Sequence, residues 1–197
     1  MSEILTINTE AGIKTEEQYK PLPLYDETLP MLESEIPMYN LRLPNPQMTK
    51  LVSEMKMTMK QFGGIGLSAN QCGVYERVFV IGTDQFQIAC INPKIIESSD
   101  NKIKAEEGCL SYPGLYLKIE RPEWIVAEFT DENGETKQMR FDGVTARCYQ
   151  HELDHMNGKK FVDYAGPVAL HMARKKQSKI VKKVSRNSKK NLGAIYG

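Results

Sequence analysis

Gln150-His151-Glu152-Leu153-Asp154-His155-Met156-Asn157-Gly158, or QHELDHMNG, carries the spacing HExxH. On a helix that spacing sets two imidazoles on one face, one turn apart, with a carboxylate beside them. Val144, Cys148, His151 and His155 stand at i, i+4, i+7 and i+11. This predicts a helix over 144–157 with both histidines on its buried stripe. A neutral imidazole buried there needs a polar partner, and a metal ion is one. Asp142-Gly143 precedes the helix and Asn157-Gly158 ends it.

Outward from this helix the chain reads as a set of short elements. Asn45-Pro46 opens an earlier helix, and Met48, Leu51, Val52, Met55, Met59 and Phe62 form its apolar face before Gly63-Gly64 stops it. The methionines read as core filling. Residues 78–81 and 88–96 read as strands, the second bent or ended by Pro93. Residues 124–129 and 135–141 flank Asp131-Glu132-Asn133-Gly134, which predicts a hairpin around an Asn-Gly turn. Six of the ten prolines fall in 21–46, which predicts extended chain and turns over the surface. The order predicts an α+β fold: antiparallel sheets packed around a central HExxH helix, with an amphipathic helix before them and a basic helix after.

The chain has 197 residues, 41% hydrophobic and 26% charged, enough for one domain with its own core. No apolar run approaches the roughly 18 residues of a membrane span. The start, MSEILTINTEAGIKTEEQYK, has neither the basic and apolar regions of a secretory signal nor the arginines of a transit peptide. Residues 1–20 read as an extension, 21–166 as the folded unit and 167–197 as a tail. Cys72, Cys90, Cys109 and Cys148 form no CxxC pair, which points to thiols in a reducing compartment, the cytoplasm. The net charge of +1 is uneven. Residues 164–197 hold nine of the 26 Lys and Arg and no acid, leaving 17 bases against 25 acids in 1–163, a net of −8.

A metal hydrolase of the HExxH type needs a third ligand. Where many such peptidases place a histidine six residues after the second one, this chain has Phe161, and no glutamate follows Glu152. Asp163 and His171 remain downstream as weak candidates. Upstream, Cys148 lies on the same helical stripe, and Cys109 lies within Glu106-Glu107-Gly108-Cys109-Leu110-Ser111. A thiolate binds divalent metals tightly, and Gly108 lets backbone come close to a site. Cys109 is preferred, because a ligand from a separate segment can reach the metal from across the site.

Three blocks in this order and spacing resemble the motifs of the peptide deformylase family. Gly64-Ile65-Gly66-Leu67-Ser68-Ala69-Asn70-Gln71 is similar to its glycine-rich first motif, Glu107-Gly108-Cys109-Leu110-Ser111 to its EGCLS, and QHELDHMNG to its QHExDHxxG. The resemblance spans about 21–164. Ser68 stands where the family usually has Ala, and Met156 where it usually has Leu.

The resemblance implies that Cys109, His151 and His155 are the metal ligands. It makes Glu152 the general base and acid, and the Gln71 side-chain amide and Leu110 N–H the oxyanion donors. The reaction implied is removal of the N-formyl group from the formyl-methionine of nascent peptides, releasing formate. Gly64, Ile65, Gly66 and Gly108 would line an extended peptide laid along a strand edge. Ile65, Val144, Cys148 and His151 would form a pocket for the methionine side chain. Gly64-x-Gly66-x-x-Ala69 also fits a dinucleotide fingerprint, but a helix rather than a strand precedes it. Glu107 and Gln150 flank ligands and are candidates to hold them, and Arg121 is a candidate partner for Asp154. Thiolate and imidazole ligands suit Zn, Fe, Co or Ni. The resemblance points to Fe(II), with Zn, Ni or Co as substitutes. The basic tail reads as a solvated helix or as an anchor to ribosomal RNA, the role of similar helices in some deformylases.

Overall fold

The computed structural model describes residues 19–187. The extension read at 1–18 and the tail beyond Asn187 lie outside the described residues. Helix α1 (Pro46–Gln61) is followed by strands β1 (Gly66–Ser68), β2 (Val78–Thr83) and β3 (Phe86–Ser98). Next come β4 (Lys102–Gly108), β5 (Tyr116–Pro122), β6 (Trp124–Thr130) and β7 (Thr136–Asp142), then helices α2 (Gly143–Met156) and α3 (Pro167–Asn187). Five strands form an antiparallel sheet in the order β1-β2-β3-β6-β7, while β4 and β5 pair only with each other as a separate ribbon.

Helix α1 begins where its sequence signals place it. The Asn45 side chain accepts the Met48 N–H at 2.8 Å, and Pro46 occupies the first helical position, where no N–H is needed. At the other end Gly64 N–H donates to Met59 and Gly63 N–H to Lys60, with Gly63 at φ 67°. This is a Schellman motif, and only glycine adopts that φ without strain. Met48, Val52, Met55 and Met59 are buried, whereas Leu51 and Phe62 are half-buried at the stripe's margin.

The large sheet is covered on both faces. Val78, Val80, Ala89 and Ile91 join the α1 methionines in one core. Phe79, Ile81, Cys90, Phe129 and Phe141 meet Ala146, Tyr149 and Met156 of α2 in another. Hence the run Val78-Phe79-Val80-Ile81 is apolar throughout instead of alternating. Tyr149 is wedged edge-on to Phe79 at 4.9 Å and stacked on Phe141 at 5.4 Å, which fixes the rotation of α2.

Two expectations change, one is met in its bent form, and one pair of strands is new. Strand β3 continues through Pro93, bending at Asn92 (φ 52°), where the pairing with β6 shifts register. The Asn92 amide brackets the backbone N–H and C=O of Tyr39 at 2.7 and 2.8 Å, which holds the bend. The β6–β7 connection is not a two-residue Asn-Gly turn. Asp131 Oδ1 accepts from both Asn133 and Glu135 N–H, so the loop lengthens and only Gly134 takes positive φ. The proline-rich segment is not confined to the surface: Leu32 and Ile36 are fully buried, and Glu35 bridges Asn157. Finally, β4 and β5 had no counterpart in the sequence reading. The Lys102–Gly108 strand is largely charged and exposed, and only Leu117, Ile119 and Arg121 of its partner alternate inward.

The ribbon rests on a third small core of Tyr112, Leu115, Leu117, Ile119 and Phe161, against which Leu170 and Ala173 of α3 pack. Helix α3 is tied there by Gln177 Nε2, which donates to Pro113 O at 2.9 Å, and by the Arg174–Glu27 ion pair. No helix among the described residues is long and apolar enough to cross a membrane.

Candidate metal centre

Helix α2 runs beneath a cleft whose walls are β1, the edge strand of the large sheet, and the β4–β5 ribbon. The cleft has a volume of about 460 Å³. Its lining includes Gly64, Ile65, Gly66, Gln71, Gly108, Cys109, Leu110, Val144, Cys148, His151 and Glu152, so the three motifs far apart in sequence converge on one cavity.

His151 and His155 are both buried and sit one turn apart, ring centroids 5.0 Å from each other. Cys109 follows directly from the end of β4 and brings its Sγ to 3.3 Å from His155 Nε2. One ligand atom from each of Cys109, His151 and His155 falls within a 4.8 Å span. Tetrahedral sites with metal–sulfur bonds of about 2.3 Å and metal–nitrogen bonds of about 2.0 Å have ligand atoms roughly 3.5 Å apart. The donor set and its spacing fit a divalent transition metal.

The other candidate ligands lie elsewhere. Cys148 Sγ donates to Ile65 O at 3.2 Å and lines the cleft. Asp163 Oδ2 accepts the Lys160 N–H at 2.9 Å and caps the turn Phe161–Tyr164. His171 is exposed on α3. Phe161, in the place of a third histidine, packs at 5.6 Å from the His151 ring.

Glu107 holds His151. Its Oε2 lies 3.1 Å from His151 Nδ1, which leaves Nε2 available to a metal. Arg121 clamps the same carboxylate with Nε at 2.6 Å and Nη2 at 3.0 Å, and extends Nη1 to Asp154 Oδ2 at 2.8 Å. The Arg121–Asp154 pair expected from the sequence is therefore present, but it is one arm of a larger network that the sequence did not reveal. Arg147 adds a further 2.6 Å bond to Glu107 Oε1. Burial works to protonate Glu107, yet the hydrogen bonds from His151 and Arg121 outweigh it and hold its pKa at about 2. Burial likewise opposes charge on His151, but Cys109 and Glu107 together raise its pKa to about 10, while burial beside His151 drives His155 well down. Gln150 has a different task from the one expected. Its amide donates to Pro122 O and Ala146 O, tying the ribbon's end to α2 rather than gripping a ligand.

Glu152 points into the cleft beside the ligands, buried, with Oε2 lacking any hydrogen-bond partner. Burial above all pushes its pKa up to about 7, where it can take and return a proton near neutrality. A Cβ on Gly66 would stand 2.4 Å from Glu152 Oε1 and 2.6 Å from Cys148 Sγ, so this close approach of strand to helix admits only glycine. The Gln71 amide is oriented by its neighbours. Its Oε1 accepts from Ser68 N–H at 3.0 Å and Ser68 Oγ at 2.9 Å, so Nε2 faces Ser111 Oγ at 3.1 Å and Cys109 Sγ at 3.4 Å. The Leu110 N–H makes no hydrogen bond among the described residues. Val144 departs from its expected place on the buried stripe. It is 69% exposed in the first turn of α2, at the cleft's mouth.

The chain matches the model of the polypeptide deformylase family over residues 24–170. It is 45% identical over 134 residues to peptide deformylase 1 of Burkholderia multivorans, covering 66% of this chain and 74% of that one. A crystal structure of a peptide deformylase from Legionella pneumophila superposes with a TM-score of 0.75 at 34% identity, over 84% of this chain and 98% of its own. A peptide deformylase from Synechococcus elongatus, solved in complex with actinonin, gives 0.74 at 35% identity over 80% and 86%. The matched span takes in both walls of the cleft and the whole of α2, and on that ground the chain belongs to the polypeptide deformylase family, enzymes that remove the N-formyl group from new polypeptides.

Proposed function

We propose that Cys109, His151 and His155 hold the metal of this deformylase, and that Glu152, Gln71 and Leu110 carry out the reaction on the formyl group beside it. The observation that carries the reading is the convergence of Sγ and two imidazoles within 4.8 Å, next to a buried carboxylate. When bound, the metal acts as a Lewis acid and activates water as the nucleophile. Glu152 accepts the water's proton as the water adds to the formyl carbon, and later delivers a proton to the departing amine nitrogen. The C–N bond breaks, giving formate and a free N-terminal amine. Gln71 Nε2, fixed through Ser68, and the unengaged Leu110 N–H donate to the oxyanion that forms meanwhile.

The outer edge of β1 at Gly64, Ile65 and Gly66 receives the peptide as an added strand, with Gly108 on the facing wall. Ile65, Val144 and Cys148 line the pocket for the methionine side chain. The S. elongatus relative was solved in complex with actinonin, which supports a ligand-binding site in this fold. Fe(II) is the working metal, with Zn, Ni or Co as substitutes, and the chain works in the cytoplasm wherever synthesis starts with formyl-methionine. Helix α3, with Lys175, Lys176 and Lys179 exposed on it, docks on ribosomal RNA near the peptide exit. Ribosome cosedimentation that stays unchanged after deletion of 168–197 would remove that contact.

The deciding experiment measures formate release from formyl-Met-Ala-Ser by the metal-loaded chain and by its Cys109→Ser variant. Release by the first and loss of both metal and release by the second is the expected result. Full metal retention by the variant would overturn Cys109 as the third ligand, and zero release by the loaded chain would favour a binding module with a structural metal.

A further inference from the structure

The ribbon that delivers Cys109 is not paired to the large sheet that backs α2. A two-stranded ribbon is marginal by itself, so its position over the histidines depends on side chains that reach across. Arg147 makes more of these links than its place in the sequence would suggest. It stands on α2 four residues before His151, on the same side of the helix. Its guanidinium reaches both strands: Nη2 donates to Ile103 O of β4 at 2.5 Å, and Nη1 to Ile119 O of β5 at 2.9 Å. The same Nη1 is 2.6 Å from Glu107 Oε1. Glu107 in turn holds His151 and lies two residues before Cys109. The Arg147 side chain is 14% exposed and lines the cleft, unlike that of Arg121, which is 5% exposed beneath the ribbon.

We propose that Arg147 is a positioning residue for the metal centre: it fixes the Glu107 carboxylate against His151 and pins both ribbon strands to α2, thereby setting where Cys109 meets the histidines. The inference rests on the ligand set argued above. Three acceptors in three directions suit a planar guanidinium fork, and one ammonium cannot meet them all. Arg147 acts through Glu107 and the Ile103 and Ile119 carbonyls, and it hydrogen-bonds to none of the three proposed ligands.

The test is the rate at which Zn(II)-loaded enzyme yields its metal to a chromophoric chelator, measured with the melting temperature of each variant. Arg147→Met keeps the aliphatic stem and should release zinc about tenfold faster, with Arg147→Lys in between. In a Glu107→Gln background the same Arg147→Met change should add only about threefold, because the route through Glu107 is already cut and only the two strand links remain to be lost. Unchanged release in Arg147→Met, or the same acceleration in both backgrounds, overturns the proposal. Should Arg147→Met fail to fold, Arg147→Lys carries the same comparison. A wild-type chain that takes up no zinc overturns the ligand set as well, whereas zinc held equally by wild type and variants overturns only the role of Arg147.

Discussion

Glu107 Oε2 lies 3.1 Å from His151 Nδ1, joining a ribbon strand to the helix below it. The carboxylate is buried and charged, and its surroundings rather than its own chemistry keep it so. It is also the acid whose protonation most directly undoes the site.

That contact gives the folded chain an acid limit. The Glu107 pKa falls from 4.5 to about 2 on folding, because hydrogen bonds from His151 and Arg121 overcome the cost of burial. The stabilisation is complete above the unfolded value of 4.5 and disappears as pH falls through about 2. It amounts to something on the order of 3 kcal/mol. Melting temperatures of wild type and Glu107→Gln, followed from pH 6 to about pH 2, should converge as the acid is titrated. A gap that stays constant across that window would assign the stability to other groups.

Removing the proton carrier should leave the metal in place. Glu152→Gln keeps shape and neighbours while losing the base, so kcat should fall by roughly 10²–10⁴. Metal content by elemental analysis should match wild type. Comparable loss of metal and of rate would mean that Glu152 holds the site together rather than moving protons.

Gln71 makes a different demand. Its Nε2 is aimed by two bonds from Ser68 to its Oε1, and in the proposed reaction it donates to the developing oxyanion. Gln71→Leu should therefore lower kcat about 10²–10³-fold with little change in KM. A rise in KM alone would make it a residue for substrate binding.

Arg121 is the test of the network's structural side. It is 4% exposed and bonded to both Glu107 and Asp154, with Tyr164 stacked at 5.1 Å and also donating to Asp154. Arg121→Met takes a charged partner from the buried Glu107 and from the half-buried Asp154, and thermal or urea unfolding should register a loss of about 3 kcal/mol. Unaltered unfolding together with normal metal content would dismiss the network as a support.

Much of this was legible before any coordinates. Caps and period located α1 and α2 to within a residue or two, since Asn45-Pro46, Gly63-Gly64 and Asn157-Gly158 are local signals with local causes. HExxH marks its own chemistry. Cys109 was a different matter: spacing left it beside Cys148, Asp163 and His171, its place in a separate segment favoured it, and the EGCLS resemblance strengthened that choice. The ribbon escaped notice because Lys102-Ile103-Lys104-Ala105-Glu106-Glu107 lacks the β-branched run of a buried strand. The alternation of Leu117, Ile119 and Arg121 was the available clue. Arg121 was legible only as a candidate partner for Asp154, and its bonds to Glu107 and the role of Arg147 were not, because nothing in a linear sequence reports that two cations 26 residues apart share one carboxylate.

Cys109 and His155 are 46 residues apart along the chain, yet Sγ and Nε2 are 3.3 Å apart. Only folding brings them together, so a metal held by both would bind the folded chain and not the unfolded one. Its binding free energy would then add to the stability of the fold, and a chelator that silences the enzyme would also lower its melting temperature.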